Sequence, residues 1–437
     1  MSGNSLAIVI GFIFTPFITR IYSPEAYGVF ALYGAIVQGG TLFATLQLTR
    51  AFVLPGSDFE FRQLLRATWI STCLLVTLSW IVLYFFNGQI LSYLGLGASL
   101  FRKMWIFIPI GIFLYSVNDI LKSHNVRNKV FSRNSGTQIF SSISARGTTL
   151  LYGIYTAGHA PGLIFGDLLT KLIEVFLLTG NTLKKEVQLL FSNFNWIEMR
   201  IVSHYRNYPL FVLPSVGVQV LTFQSPIYIA TFFFSTASAG QYSLANSLIN
   251  LPLNLLVGSI APVFLQKINE TIKSKPLDAV RIVHQLVDRL FIIGLLPMAG
   301  IVVFGDWIFR IVLGEQWIDA GNLARYMGLY SFFQIVNLPL ISIFRVLNRE
   351  RLGLAMNLLT FLLSTVGLIV GLVFDSFLLC IVIFSFSIML TTLASLFVQL
   401  KISGLDPFKK VFTWMVVFAI TIGLAFGIRT LIEFWVK

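Results

Sequence analysis

Apolar residues fall along this chain in long blocks, separated by short polar intervals that carry most of the charge. The blocks lie at about 5–21, 27–50, 64–86, 104–121, 137–157 and 160–181. After a polar interval they resume at about 208–234, 241–265, 287–309, 325–346, 353–374 and 377–400, with a thirteenth at 411–434. Each is close to the roughly 20 apolar residues that a helix needs to cross a bilayer. Backbone polar groups must be satisfied internally in lipid, so the pattern predicts an all-α polytopic membrane protein.

The blocks divide six and six about a 26-residue polar connector, Thr182–Asn207. The expected organisation is an N-lobe at 1–181, a cytoplasmic connector at 182–207, a C-lobe at 208–400 and an extra C-terminal segment at 401–437. One internal echo supports two copies. Ser235–Leu244 (STASAGQYSL) repeats the Ser, Gly and Leu of Ser23–Leu32 (SPEAYGVFAL), 212 positions earlier. Six spans per half is an even number, so both halves enter from the same face. They form two parallel six-helix bundles related by a pseudo-twofold along the membrane normal, with one extra hydrophobic helix.

Composition and charge agree. Of 437 residues, 56% are hydrophobic and 11% charged, and the mean hydropathy is +0.83. A soluble domain carries about 25% charge. The net charge of +13 is spread between apolar blocks rather than gathered on one face, which argues against nucleic-acid binding. With a cytoplasmic N-terminus, 21 basic residues fall in cytoplasmic loops and four in the opposite loops. Cys73 and Cys380 both lie inside apolar blocks and imply no disulfide framework.

Catalytic constellations are missing from the sequence. There is no GxxxxGK[ST], HExxH, GxSxG or DxD, the four histidines are scattered, and no cofactor or metal is implied. The longest extracytoplasmic loop, Asn87–Lys103, has 17 residues, too few to house a glycosyl-transfer domain. Twelve differing spans in two lobes suit a transporter better than an enzyme or a symmetric pore.

Candidate chemistry then lies at membrane depth. Arg146 and Lys171 sit nine and eleven residues into the fifth and sixth blocks, about 14–17 Å deep. A charge there costs about 2.5–3.5 kcal/mol unless it meets water or a partner. Arg146 has no carboxylate within a helical turn, which suggests a cavity-facing role in binding an anion. Lys171 shares a face with Asp167 and Glu174, either as an internally paired triad or as a site for a coupling proton or sodium ion. Asp119 is a further ion-coupling candidate, and Arg20 and Arg50 close the first two blocks. Asn246, Asn250 and Asn254 form a polar stripe that faces either a neighbouring helix or a cavity where amides could meet sugar hydroxyls.

Several short stretches carry a family resemblance. Arg20–Tyr33 (RIYSPEAYGVFALY), Arg50–Pro55 (RAFVLP), Tyr205–Pro209 (YRNYP), Gly240–Ala245 (GQYSLA), Val263–Lys267 (VFLQK), Gly314–Gly321 (GEQWIDAG) and Val346–Arg351 (VLNRER) resemble the Wzx-type oligosaccharide flippases. These belong to the multidrug/oligosaccharidyl-lipid/polysaccharide exporter superfamily. The resemblance implies two six-helix lobes about a cationic cavity in the bacterial inner membrane. It also implies movement of an undecaprenyl-diphosphate-linked oligosaccharide from the cytoplasmic to the periplasmic leaflet for O-antigen or capsule assembly, alongside polysaccharide polymerase and chain-length partners. On this reading Arg146, Arg20, Arg50 and Lys171 neutralise the diphosphate, and Asn246, Asn250 and Asn254 contact sugars. A multidrug/cation antiporter of the same superfamily is the alternative, ahead of a membrane polymerase or ligase.

Overall fold

The computed structural model describes residues 3–93, 105–156, 158–180, 203–272, 276–341, 343–344 and 349–436. Most of the expected connector, 182–202, and positions 94–103 of the loop before the fourth block lie outside the described residues. No strand occurs among the described residues. Each apolar block has become a helix: α1 Gly3–Ile21, α2 Pro24–Ala44, α3 Asp58–Tyr93, α4 Phe107–Arg127, α5 Phe131–Tyr155, α6 Pro161–Thr179 and α7 Tyr208–Phe234. They continue with α8 Thr236–Ile272, α9 Pro276–Leu313, α10 Ile318–Leu340, α11 Glu350–Val373, α12 Phe377–Ile402 and α13 Pro407–Val436. Among the described residues seven are long and apolar enough to cross a membrane by composition alone, within α2, α3, α7, α9, α11, α12 and α13. The others are shorter or more polar, and the candidate site residues of the first half lie mainly on them.

The chain divides into two compact units, Met1–Gly240 and Gln241–Lys437. In the first, the internal echo is a physical joint. Ser23 caps α2 by accepting the Ala26 N–H at 3.3 Å, and Ser235 caps α8 by accepting the Ser238 N–H at 3.0 Å. With that cap α8 starts at Thr236, so the interval between the blocks at 208–234 and 241–265 shrinks to Ser235 alone. The two echoed glycines then meet. A Cβ on Gly28 would fall 1.7 Å from the Thr236 carbonyl oxygen, and one on Gly240 would fall 1.9 Å from that of Pro24. The contact is reciprocal: each glycine lies against the first helical residue of the other copy.

Tyr22 of the RIYSPEAYG stretch is fully buried between Gly153 of α5 and Gly162 of α6, and its hydroxyl donates to the Thr149 carbonyl at 2.9 Å. The second block differs from the sequence expectation of a helix to residue 50. Here α2 stops at Ala44, whose carbonyl accepts from the Ser71 and Thr72 hydroxyls at 2.9 and 3.3 Å. Leu46 (φ 49°) and Gln47 (φ 55°) are left-handed and lead into a 3₁₀ turn, Leu48–Ala51. Two consecutive non-glycine residues there store strain of order 1–3 kcal/mol each, held by a core of Leu48, Phe52, Phe61, Leu64 and Ile120.

In the second unit α13 is part of the core. Phe418 stacks on Phe332 of α10 at 3.9 Å between centroids, and Trp414 on Phe291 of α9 at 5.6 Å. Two ion pairs fix its direction: Lys410 with Asp288, and Arg429 with Asp306 at 2.8 Å. The pairs are 19 residues apart on α13 and 18 apart on α9, so the helices run parallel over about 27–29 Å, close to the hydrocarbon thickness.

Candidate functional site

The side chains singled out in the first half gather around α4, α5 and α6. A polar seam joins α4 to α6. The Tyr115 hydroxyl donates to Asp167 Oδ1 at 2.8 Å, Asn118 Nδ2 to the Lys171 carbonyl at 3.0 Å, Lys122 Nζ to Glu174 Oε2 at 2.8 Å, and Asn125 Nδ2 to the Leu178 carbonyl at 3.2 Å. Partners advance together on both helices, so α4 and α6 are parallel. Positions 115, 118, 122 and 125 follow a heptad pattern, with polar residues where a soluble coiled coil places apolar ones.

The seam divides the expected Asp167–Lys171–Glu174 triad. Glu174 is buried and fully engaged, taking Lys171 at 3.2 Å and Lys122 at 2.8 Å on one oxygen and the Ser141 hydroxyl at 3.1 Å on the other. The Lys171 ammonium also lies over the Tyr115 ring, 4.8 Å from its centroid. Asp167 makes no ion pair among the described residues, because Lys171 turns toward Glu174 one helical turn away. Its Oδ2 is buried without a hydrogen-bond partner. Sequence spacing did not single out Lys122, Tyr115 or Ser141, and the heptad of polar positions in α4 was the signal that could have found the first two.

Arg146 is half-buried on α5, with its guanidinium laid over Gly11 of α1. A Cβ there would stand 3.3 Å from Nη2, so the glycine makes room for the charge. Among the described residues Arg146 has neither hydrogen bond nor ion pair, although it lies within electrostatic reach of Tyr27 and Asp167. Arg20, at the end of α1, and Arg50, in the 3₁₀ turn, are exposed and likewise unpaired among the described residues. Asp119 accepts the Thr49 hydroxyl at 2.7 Å and lies within electrostatic reach of Arg50 and Lys122. It ties the strained turn to α4 and stands apart from Asp167.

On α8, Asn250 Nδ2 turns back to the Asn246 carbonyl and Oδ1 at 2.8 and 2.9 Å. Asn246 and Asn250 are half-buried, Asn254 is exposed, and none bonds another helix among the described residues. Among the described residues no group of three His, Cys, Asp or Glu converges as a metal site requires.

A second cluster lies where the YRNYP and RAFVLP stretches meet. Arg127 donates to the Phe52 and Pro55 carbonyls at 2.9 and 3.0 Å and covers the Phe61 ring at 4.4 Å. Tyr205 donates to Glu60 at 2.8 Å. Burial and that hydrogen bond push the Tyr205 hydroxyl up to about 12, so it stays a donor at neutral pH.

The family model described as polysaccharide biosynthesis protein matches residues 17–322. The succinoglycan biosynthesis transport protein ExoT of Rhizobium meliloti (strain 1021) is 24% identical over 340 residues, 73% of this chain and 63% of that protein. The chain thus spans less than two thirds of the length of this curated relative. Among solved structures, the lipid II flippase MurJ in an inward closed conformation matches with a TM-score of 0.68 at 16% identity, over 98% of this chain and 97% of that one. An inward-facing multidrug resistance MATE family transporter of the MOP superfamily matches with a TM-score of 0.67 at 12% identity, over 92% and 95%. At such identities these structures establish a shared helical fold.

Proposed function

Because the chain belongs to the polysaccharide biosynthesis protein family, we propose that it is a Wzx-type transporter of the MOP superfamily and flips an undecaprenyl-diphosphate-linked oligosaccharide from the cytoplasmic to the periplasmic leaflet. The membrane is the bacterial inner membrane, and the product feeds surface polysaccharide assembly. The observation that carries this reading is the guanidinium of Arg146, without hydrogen bond or ion pair among the described residues, about two thirds of the way along α5 and given space by Gly11. An uncompensated cation at that depth is costly, and a diphosphate needs a counter-charge in a low-dielectric region. Each supplies what the other lacks.

Arg20 and Arg50, exposed and without an ion pair among the described residues, take the diphosphate at the ends of the path. Lys171 serves the seam first, through Glu174, and contributes only long-range positive charge. Asn246, Asn250 and Asn254 offer amides to sugar hydroxyls. Transport is driven by an ion gradient, with Asp167, Glu174 and Asp119 as the carboxylates from which a coupling residue is drawn. A multidrug/cation antiporter would want a carboxylate where Arg146 stands.

Arg146→Ala is expected to abolish complementation of a flippase-deficient strain that makes the matching glycan, and Arg146→Lys to retain part of it. Normal surface polysaccharide from the Ala variant at wild-type protein levels would refute the role of Arg146.

A further inference from the structure

At membrane depth α2 and α7 present a pair of amides on an open face. Gln224 Nε2 of α7 donates to Gln38 Oε1 of α2. Gln38 is exposed and Gln224 half-buried, on two helices that are each long and apolar enough to cross a bilayer. Gln38 lies 14 residues from Pro24 and 6 from Ala44, and Gln224 lies 16 from Tyr208 and 10 from Phe234. At about 1.5 Å per residue, both stand roughly 9 Å or more from either helix end. Their mutual hydrogen bond uses one donor and one acceptor. The Gln38 NH2 group, the second Gln224 N–H and the Gln224 side-chain oxygen have no partner among the described residues. Acyl chains satisfy none of these groups, so the face is suited to a polar occupant.

The register of the two helices sets an aromatic ring beside the amides. Gly217 lies against Leu42, where a Cβ would stand 3.5 Å from Cδ2. Position 217 is therefore near 42 as 224 is near 38, and the helices run antiparallel. Tyr228, one turn on from Gln224 and on the same face, then comes level with Gly34, one turn back from Gln38. Tyr228 is half-buried, stacks on Phe232 with centroids 6.0 Å apart, and makes no hydrogen bond among the described residues. A Cβ at Gly34 would meet nothing within 4 Å, so the glycine leaves open space at the level of the ring. Apart from Glu25 in the first turn of α2, neither helix carries a charged side chain. The place suits a neutral, hydroxyl-bearing ligand rather than a phosphate.

A pyranose ring has the matching chemistry, with a rim of hydroxyls that donate and accept and a C–H face that packs on an aromatic plate. Amides supply both donors and acceptors, and tyrosine an apolar plate with a polar tip. We propose that Gln38, Gln224 and Tyr228, with the space left by Gly34, form a sugar-binding subsite in the first unit that takes one ring of the lipid-linked oligosaccharide. The inference rests on the substrate reading above and adds to it a place for sugar on α2 and α7. Because the amides hold each other in one orientation, the subsite selects a ring by the positions of its hydroxyls. A clamp between α2 and α7 would account for the amide bond, but not for the space at Gly34 at the level of a ring with an unused hydroxyl.

The test measures binding to the full chain in lipid nanodiscs with two probes: undecaprenyl diphosphate, and the undecaprenyl-diphosphate-linked oligosaccharide isolated from the strain that encodes the chain. The wild type should bind the second about tenfold more tightly, the equivalent of one or two net hydrogen bonds. Gly34→Leu is the most direct variant, because its Cβ enters open space and the packing of α2 is kept. It should abolish the preference for the sugar-bearing probe, bind undecaprenyl diphosphate as the wild type does, and unfold at the same temperature. Gln38→Leu and Tyr228→Leu should likewise lose the preference alone, whereas Tyr228→Phe, which keeps the ring, should retain most of it.

A preference that survives Gly34→Leu or Gln38→Leu would overturn the subsite. So would an equal weakening of both probes by these variants, which would make the amide pair a clamp between helices. Equal binding of the two probes by the wild type would also overturn it while leaving the diphosphate reading intact. Failure of the wild type to bind either probe would refute the diphosphate reading itself.

Discussion

Arg146 and Lys171 sit at similar depths in consecutive helices, yet their surroundings give them different work. Lys171 is compensated by Glu174, which Lys122 also binds from α4, whereas Arg146 makes no ion pair among the described residues and lies over Gly11. The difference is measurable as stability. Glu174→Gln should lower the stability of the folded protein by about 3 kcal/mol, because two ammonium groups lose their counter-charge. That is the lower end for a buried pair, since Lys122 keeps 30% of its side chain exposed. Arg146→Ala should leave thermal unfolding in detergent unchanged or slightly raised while removing transport. Equal destabilisation by both variants would contradict the division. Sequence spacing revealed both midspan charges and placed Glu174 beside Lys171. It did not reveal Lys122, Tyr115 or Ser141, whose contacts span 33 to 52 positions and depend on which helices are neighbours.

At the level of elements, the stretches that carry the family resemblance turn out to build joints. Tyr22 wedges between two glycines, Ser23 and Ser235 cap their helices, and Gly28 and Gly240 meet across the repeat. Phe52 and Pro55 hold Arg127, Tyr205 holds Glu60, and Trp317 is fully buried. Fold-defining geometry was therefore legible from short motifs, while the candidate ligand residues Arg146 and Asn250 lie outside them. The break after Ala44 was not legible, because Leu46 and Gln47 look like ordinary helix formers and adopt left-handed angles only under tertiary packing. Nor did apolarity alone say how α13 is placed. Its two ion pairs answer that, and they make a prediction. Asp306→Arg or Arg429→Asp alone should destabilise the second unit by about 3 kcal/mol, and the charge-exchanged double variant should recover most of the loss in a thermal-unfolding cycle. No recovery would mean that the pair does not hold α13 against α9.

For the molecule as a whole, twelve differing spans and the one-sided loop charge suit a transporter, and thirteen α-helices stand among the described residues where thirteen apolar blocks were expected. What it carries is a separate question, and composition does not answer it. The case for a diphosphate-linked glycan rests on cations that have no ion pair among the described residues, and only a substrate can test it. The decisive measurement is reconstitution of the purified chain into liposomes containing undecaprenyl-diphosphate-linked oligosaccharide, followed by an external glycan-modifying enzyme. With protein present, the lipid-linked glycan should become modified beyond the fraction initially in the outer leaflet, and Arg146→Ala should hold it at the protein-free level. Equal protection of the inner-leaflet pool with and without the wild-type protein, under an imposed ion gradient, would contradict the account.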